Sequence, residues 1–196
     1  MVTKVGVLAL QGDFAEHEAA LRRIGVVAQQ VRLPADLAGL DGLIIPGGES
    51  TTIGTLMVRF GLFDPLVERA RSGFPIWGTC AGMIVLAKRI EGSMQPTLGV
   101  MDITVRRNAF GRQIDSFETD LEIAGLEQPY HAVFIRAPLI TEVGPAAKAI
   151  ATLPDGRVVA AEQGNLLATA FHPELTADDR MHQLFVQRIR EGAGAR

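Results

Sequence analysis

The pentapeptide Gly78-Thr79-Cys80-Ala81-Gly82 constrains the fold of this chain more than any other stretch. An apolar, strand-like run, Phe74-Pro75-Ile76-Trp77, leads into it, and a helix-like run, Ala81 to Ile90, leads out. Strand, tight turn and helix in that order make a nucleophile elbow, here with a thiol at the apex. So sharp a turn crowds the residues two positions either side of the apex, and Gly78 and Gly82 are small enough to allow it. The side chain of Cys80 is then lifted above the sheet at the N-terminus of a helix. There the dipole and the free backbone N–H groups favour an anionic sulfur, and the N–H of Ala81 is placed as an oxyanion donor. Cys80 is also the only cysteine in 196 residues, and a lone cysteine is commonly a small buried hydrophobe. The paired glycines and the strand-to-helix context weigh against that plainer reading.

The rest of the first half repeats the strand–helix alternation. Lys4 to Leu10 reads as a buried parallel strand ended by Gln11-Gly12, and Asp13 caps a helix to about Ile24 that Gly25 stops. Val26 to Leu33 and Gly42 to Ile45 read as further strands, the latter closed by Pro46-Gly47-Gly48. Helical segments follow around 51–60 and 64–72. This alternation argues a doubly wound parallel sheet. The second half is richer in strands, at 100–106, 117–123, 132–136, 149–153, 157–163 and 166–171. A last helix, about 177–191, carries Met181, Leu184, Phe185 and Ile189 on one face, and the tail 192–196 reads as frayed.

Sites in such a sheet lie beyond the C-terminal ends of the strands. Gln11-Gly12, Gly47-Gly48-Glu49-Ser50 and Cys80 all fall at such ends, and His172-Pro173-Glu174 follows the strand 166–171. Read alone, His-Pro-Glu is a weak signal, since a surface histidine beside a turn proline is ordinary. In extended chain, however, residues i and i+2 point to one side, which presents a base and a carboxylate together. Joined to the elbow, they complete a Cys80, His172, Glu174 triad of nucleophile, base and orienter. Gly47-Gly48 suits a loop of backbone donors facing an oxyanion, although Pro-Gly-Gly is also a plain turn sequence.

Bulk properties narrow the partners. A net charge of −3 argues against nucleic acid, whose phosphates need a basic face. One cysteine excludes an internal disulfide and fits a reducing compartment. The run Val5 to Leu10 is too short for a signal segment or a membrane span, so a cytoplasmic, non-membrane protein is expected. No CxxC, HExxH or acidic calcium loop is present, so no metal and no cofactor are expected. The length predicts one domain over 1–196.

The segments 8–17 (LALQGDFAEH), 46–52 (PGGESTT), 78–84 (GTCAGMI), 107–118 (RNAFGRQIDSFE), 134–138 (FIRAP), 160–164 (AAEQG) and 171–176 (FHPELT) together carry a resemblance over nearly the whole chain. The elbow and His-Pro-Glu resemble the class I, triad-bearing glutamine amidotransferases. The other segments are similar to the branch of that family formed by the glutaminase subunits of pyridoxal 5′-phosphate synthases. The resemblance implies a flavodoxin-like, three-layer α/β fold with a mostly parallel central sheet and helices on both faces. It implies that L-glutamine is hydrolysed to glutamate and ammonia. The ammonia would pass to a synthase subunit, in a large hetero-oligomeric complex, that makes pyridoxal 5′-phosphate from ribose 5-phosphate and glyceraldehyde 3-phosphate. Carried across by position, Cys80, His172 and Glu174 are the triad, and Gly48, Glu49, Ser50, Arg107, Ile135 and Arg136 match glutamine-contact positions.

Elementary chemistry agrees with that transfer. Glutamine carries an α-carboxylate that suits an arginine fork and an α-ammonium that suits an acid such as Glu49. Arg106, Arg107, Arg112 and Arg136 are the candidate forks, and only Arg107 and Arg136 rise above ordinary solvated arginines, through the resemblance. Gln11 is expected to help set the Gly47-Gly48 loop, whose peptide can rotate cheaply between a donor and a carbonyl facing the oxyanion. A partner docking near Gln11 and the first helix would then act as a switch. His17 and His182 read as surface or boundary residues, His131 as unpartnered, and Trp77 as core beneath the elbow. Two other readings stay open: a stand-alone cysteine amidase or peptidase, and a non-catalytic glutamine-binding or scaffolding subunit.

Overall fold

The computed structural model describes residues 2–109 and 116–194. Its first half runs β1 (Lys4–Leu8), α1 (Phe14–Arg23), β2 (Val27–Val31), β3 (Gly42–Ile45), α2 (Ser50–Arg59), α3 (Phe63–Arg71), β4 (Ile76–Thr79) and α4 (Ala81–Leu86). The second half runs β5 (Ala87–Ile90), β6 (Met101–Arg106), β7 (Ser116–Leu121), β8 (Tyr130–Ile135), β9 (Leu139–Val143), β10 (Lys148–Thr152), β11 (Val158–Gln163), β12 (Leu166–Thr169) and α5 (Arg180–Gly194). Short 3₁₀ turns lie at Pro34–Leu37 and Pro173–Leu175.

The strands β2, β1, β3, β4 and β12 lie side by side and parallel. Every residue of β3, β4 and β12 is buried, as strands covered on both faces must be. Alternation along β4 separates the two covering layers. Trp77 and Thr79 meet His17 of α1 and His182 and Phe185 of α5. Gly78 faces the opposite way, onto the first turn of α4. This is the expected three-layer, doubly wound architecture. Beyond β12 the sheet continues through β11, β9, β6 and β5, and pairing there is antiparallel except between β5 and β6. The whole sheet is therefore mixed, with its parallel half carrying the elbow. From β1 the chain winds out to β2, then returns to β3 on the other side. That reversal places a topological switch point at the C-terminal ends of β1 and β3.

Several sequence expectations are corrected. The helix expected to reach Ile90 stops at Leu86, and Ala87 turns extended with ψ 143° to start β5. All six residues of α4 are buried, so its sequence has no amphipathic period to mark its end. The carbonyls of Val85 and Leu86 are taken instead by the N–H groups of Leu98 and Val100. Strand β9 was not anticipated; it is a five-residue run between Pro138 and Gly144, inserted between β11 and β6. Helix α5 starts at Arg180 rather than near 177; just before it the Asp178 carboxylate accepts the Arg180 N–H in a local turn. It also continues through Gly194, where a frayed tail was expected; residues 195–196 lie outside the described part, as does Arg112. Among the described residues, no helix is long and apolar enough to cross a membrane.

The elbow is held by contact of backbone with backbone. A Cβ on Gly78 would collide with the carbonyl group of Gly82, and one on Gly82 with the carbonyl oxygen of Ile45 in β3. Gly82→Ala is therefore expected to destabilise the fold by about 1–3 kcal/mol, the usual cost of overpacking a core that cannot give way. Chemical denaturation checks this, and an unchanged midpoint would show that α4 is free to move off β3.

Candidate active site

Cys80 sits at the apex with φ 47° and ψ −105°, a conformation that L-residues seldom adopt. Its N–H donates to the Thr169 carbonyl at the end of β12, at 2.8 Å. Its own carbonyl accepts from Met83 and Ile84, which begins α4. Cys80 is 7% exposed, and its thiol lies 4.0 Å from the Ile135 carbonyl oxygen at the end of β8. Among the described residues, three non-glycine residues have positive φ: Cys80, Asn108 and Arg136. All three line one cleft, and strain gathered in this way is a mark of functional surfaces.

That cleft has a volume of about 480 Å³. Gln11, Gly48, Glu49, Ser50, Cys80, Ala81, Arg107, Ile135, Arg136 and His172 all line it. The structure thus brings together Cys80, His172 and every residue matched by resemblance to glutamine contact. Gly47 and Glu174 stand just behind. A Cβ on Gly47 would come within 2.6 Å of the His172 ring, and one on Gly48 within 2.5 Å of the Gln11 amide oxygen. The glycine loop is sandwiched between the base and Gln11, and Gln11 Oε1 accepts the Glu49 N–H at 2.7 Å. Trp77 lies beneath, wholly buried, donating to Thr169.

His172 Nδ1 is bonded to Glu174 Oε1 at 2.7 Å, with Asp13 Oδ2 further off at 3.6 Å. The two side chains meet through the 3₁₀ turn at Pro173–Leu175, not through extended chain as expected. With Nδ1 committed, Nε2 is the ring nitrogen left for Cys80, which lines the same cleft. Burial disfavours the His172 cation, but the bonds to Cys80 and Glu174 outweigh it and raise its pKa to about 10. A protonated imidazole beside a sulfur favours the nucleophilic thiolate. Burial also raises the Glu174 carboxyl, against the pull of His172. Asp13, His172 and Glu174 are the one group among the described residues that could gather a metal ion. Glu174 already occupies Nδ1 as a short hydrogen bond, which is the arrangement of a base and its orienter.

The end of the cleft formed by Glu49 and Arg107 is knitted together. Glu49 accepts from the Thr51 and Thr52 N–H groups and so caps α2. Partial burial opposes its ionisation, but the Thr52 and Thr51 bonds prevail and hold its carboxyl below the usual range. Arg107 donates to Glu49 at 3.1 Å and to Gln95 at 2.7 Å. Gln95 also bonds Ser50 and Thr51. Sequence reasoning missed both Gln95 and the capping role of Glu49. Arg106 points elsewhere, paired with Glu91 at 2.6 Å.

The histidine expectations were wrong in each case. His17 and His182 are wholly buried, 3.0 Å apart, directly behind the triad. His131 is held between Asp120 and Glu118 of the neighbouring strand β7, and those bonds, Glu118 first, raise its pKa. Asp13 occupies the N-cap position of α1, but its side chain makes no capping bond and turns toward His172 instead.

A cysteine elbow on a doubly wound sheet, with a His–Glu pair at the neighbouring strand end, has the geometry of a thiol nucleophile with a base and its orienter. Residues 7–191 match the SNO glutamine amidotransferase family, and the chain belongs to it. It is 64% identical over 188 residues to pyridoxal 5′-phosphate synthase subunit PdxT of Herpetosiphon aurantiacus, covering 93% of this chain and 98% of that one. The protein of the same name from Deinococcus radiodurans is 58% identical, with 96% and 98% covered. A crystal structure of a glutamine amidotransferase superposes with a TM-score of 0.91 at 51% identity, covering 95% of this chain and 98% of that one. The structure of PurLQS from Thermotoga maritima shares the fold, with a TM-score of 0.72 at 16% identity and 98% and 100% coverage.

Proposed function

We propose that this chain, as one glutaminase domain over 1–196, hydrolyses L-glutamine to L-glutamate and ammonia. The ammonia goes to a synthase partner that makes pyridoxal 5′-phosphate from ribose 5-phosphate and glyceraldehyde 3-phosphate. The observation that carries the reading is the Cys80 thiol at a strained elbow, opening on a cleft beside His172, with Glu174 2.7 Å behind. The relatives named as pyridoxal 5′-phosphate synthase subunits, matched over nearly their whole length, support the partner and product. A lone nucleophilic thiol also suits the reducing cytoplasm.

In the proposed reaction, the Cys80 sulfur attacks the side-chain amide carbon of glutamine. The tetrahedral oxyanion is held by backbone N–H groups of Gly48 and Ala81. His172 gives its proton to the departing ammonia, leaving a glutamyl thioester. The neutral ring then takes a proton from water, which attacks the thioester and releases glutamate. Glu174 keeps the ring aimed throughout. Arg107 and Arg136 would hold the α-carboxylate, with Glu49 toward the α-ammonium.

Arg107→Ala and Arg136→Ala are expected to raise the glutamine concentration needed for half-maximal turnover, with kcat less affected. A lost charge-assisted contact is worth about 1.5–3 kcal/mol. A glutamine titration measures this, and unchanged curves for both activity and binding would remove the two residues from the site. The function as a whole is tested by glutaminase assay with and without the cognate synthase. Partner-independent activity would favour a stand-alone amidase. Failure of a glutamine-mimicking electrophile to label Cys80 would favour a pure binder.

A further inference from the structure

The proposed reaction leaves a buried cluster unused. His17 of α1 and His182 of α5 are both wholly buried, and neither lines the cleft. His17 Nδ1 lies 3.0 Å from His182 Nε2. His17 Nε2 lies 3.1 Å from Thr79 Oγ1 and 3.3 Å from Glu174 Oε2. Glu174 Oε1 is bonded to His172, but its Oε2 is fully buried and has no direct hydrogen bond. A buried carboxylate stays ionised only if donors or positive dipoles surround it. The group standing closest to that role at Oε2 is the His17 ring.

The proton positions follow from what is left over. Burial, then the nearby His182 and His172, pushes His17 well below 6.5, and burial lowers His182 to about 4. Both rings are therefore neutral at pH 7, with one N–H each. If His17 carried its proton on Nδ1, its Nε2 lone pair would face the carboxylate. His182 would then accept at Nε2 and strand an N–H on Nδ1, a buried atom with no partner. Orphaned buried donors are rarer than under-satisfied acceptors. With protons on both Nε2 atoms, His182 donates to His17, and His17 turns its N–H to Thr79 and Glu174. The unpartnered atom, His182 Nδ1, is then only a lone pair.

We infer that His17, backed by His182, is a positioning residue of the triad: its Nε2–H, aimed at Thr79 and alongside Glu174 Oε2, keeps the buried carboxylate ionised and directed at His172. The inference rests on the triad reading above. Other charged or titratable groups face this set. Asp13 of α1 lies near His172, Tyr130 of β8 lies near Glu174, and Asp179 and Arg23 lie near His182. Trp77, itself wholly buried, packs roughly at right angles to both histidine rings. Without the His17 donor, Glu174 would take up a proton more readily. His172 would lose its counter-charge, and the Cys80 sulfur its cation.

Two amide variants separate positioning from mere packing. A glutamine at position 17 carries its amide nitrogen near the place of Nε2, and an asparagine near that of Nδ1. The readout is the rate of Cys80 alkylation by iodoacetamide across pH on the full chain, with kcat and KM measured on the chain assembled with its synthase. His17→Asn is expected to move the alkylation midpoint up by about one pH unit, a tenfold change in the ion-pair equilibrium. It should lower kcat about tenfold while KM stays within about twofold, and His17→Gln should stay near wild type, as loss of transition-state stabilisation requires. In a Glu174→Gln background, His17→Asn should add nothing further, because it acts through that carboxylate. Equal behaviour of the two variants, an unmoved midpoint in His17→Asn, or a full effect in the Glu174→Gln background would overturn the inference. If Glu174→Gln alone leaves the midpoint unmoved, the triad reading fails instead. Nitrogen-15 NMR of the wild-type histidines decides the matter even if a variant does not fold. Neutral Nε2–H tautomers at His17 and His182 are expected, and an Nδ1–H tautomer at His17 would contradict the proposal.

Discussion

Cys80→Ala is expected to abolish glutamine hydrolysis and leave the fold intact. The change removes the proposed nucleophile but little volume, so stability should move by only about 1 kcal/mol. The elbow does not depend on the thiol. It is built from the Cys80 N–H bond to Thr169 and the packing of Gly78 and Gly82. His172→Asn should cost nearly as much, because residues that act as a unit are not additive. Glu174→Gln should cost less, since that carboxylate orients the ring rather than reacting. Turnover of labelled glutamine, with a thermal melt beside it, measures all three. Near-normal turnover in Cys80→Ala would place the nucleophile elsewhere, and near-normal turnover in His172→Asn would do the same for the base.

The second large effect is activation by the partner. The chain alone is expected to turn glutamine over slowly, and excess synthase to raise the rate by about 10²–10³, the worth of one oxyanion donor. The Gly47-Gly48 peptide is the element suited to this. The Gly47 carbonyl accepts the Asp13 N–H at 3.1 Å, so trans geometry sends the Gly48 N–H to the opposite side. Rotating the peptide breaks that one bond, a net cost of about 0.5–1.5 kcal/mol. Gln11 pins the next residue through the Glu49 N–H. A partner that touches Gln11 and the start of α1 therefore acts on both holds at once, and one that binds a single orientation shifts the population. Turnover at saturating glutamine, with and without synthase, reads the effect directly. Equal rates would refute activation.

Much of this was legible in the sequence because the signals are local. Gly78 and Gly82 announce a turn that no larger residue could make, and β3, with no polar residue, coincides with its expected bounds. His172 and Glu174 are neighbours in the chain, so their meeting did not depend on the fold. What could not be read was non-local. His17 and His182 come from opposite ends of the chain, and each looks like an ordinary helical residue until α1 and α5 are packed on β4. The end of α4 was hidden by its burial on all sides. Glu49 looked like a free acid because capping is a property of the helix boundary, which sequence places only to within a few residues. Gln95 carries no pattern at all. It was found through its bonds to Ser50 and Arg107.

The account stands or falls on where the amide nitrogen goes. The measurement is synthesis of pyridoxal 5′-phosphate by the assembled complex from amide-¹⁵N glutamine, with unlabelled ammonium in the medium. Wild type should place the label in the product, little diluted by the outside ammonium. Cys80→Ala should make only unlabelled product, drawn from the medium. Labelled product from Cys80→Ala, or label fully diluted by the medium with wild type, would contradict the account.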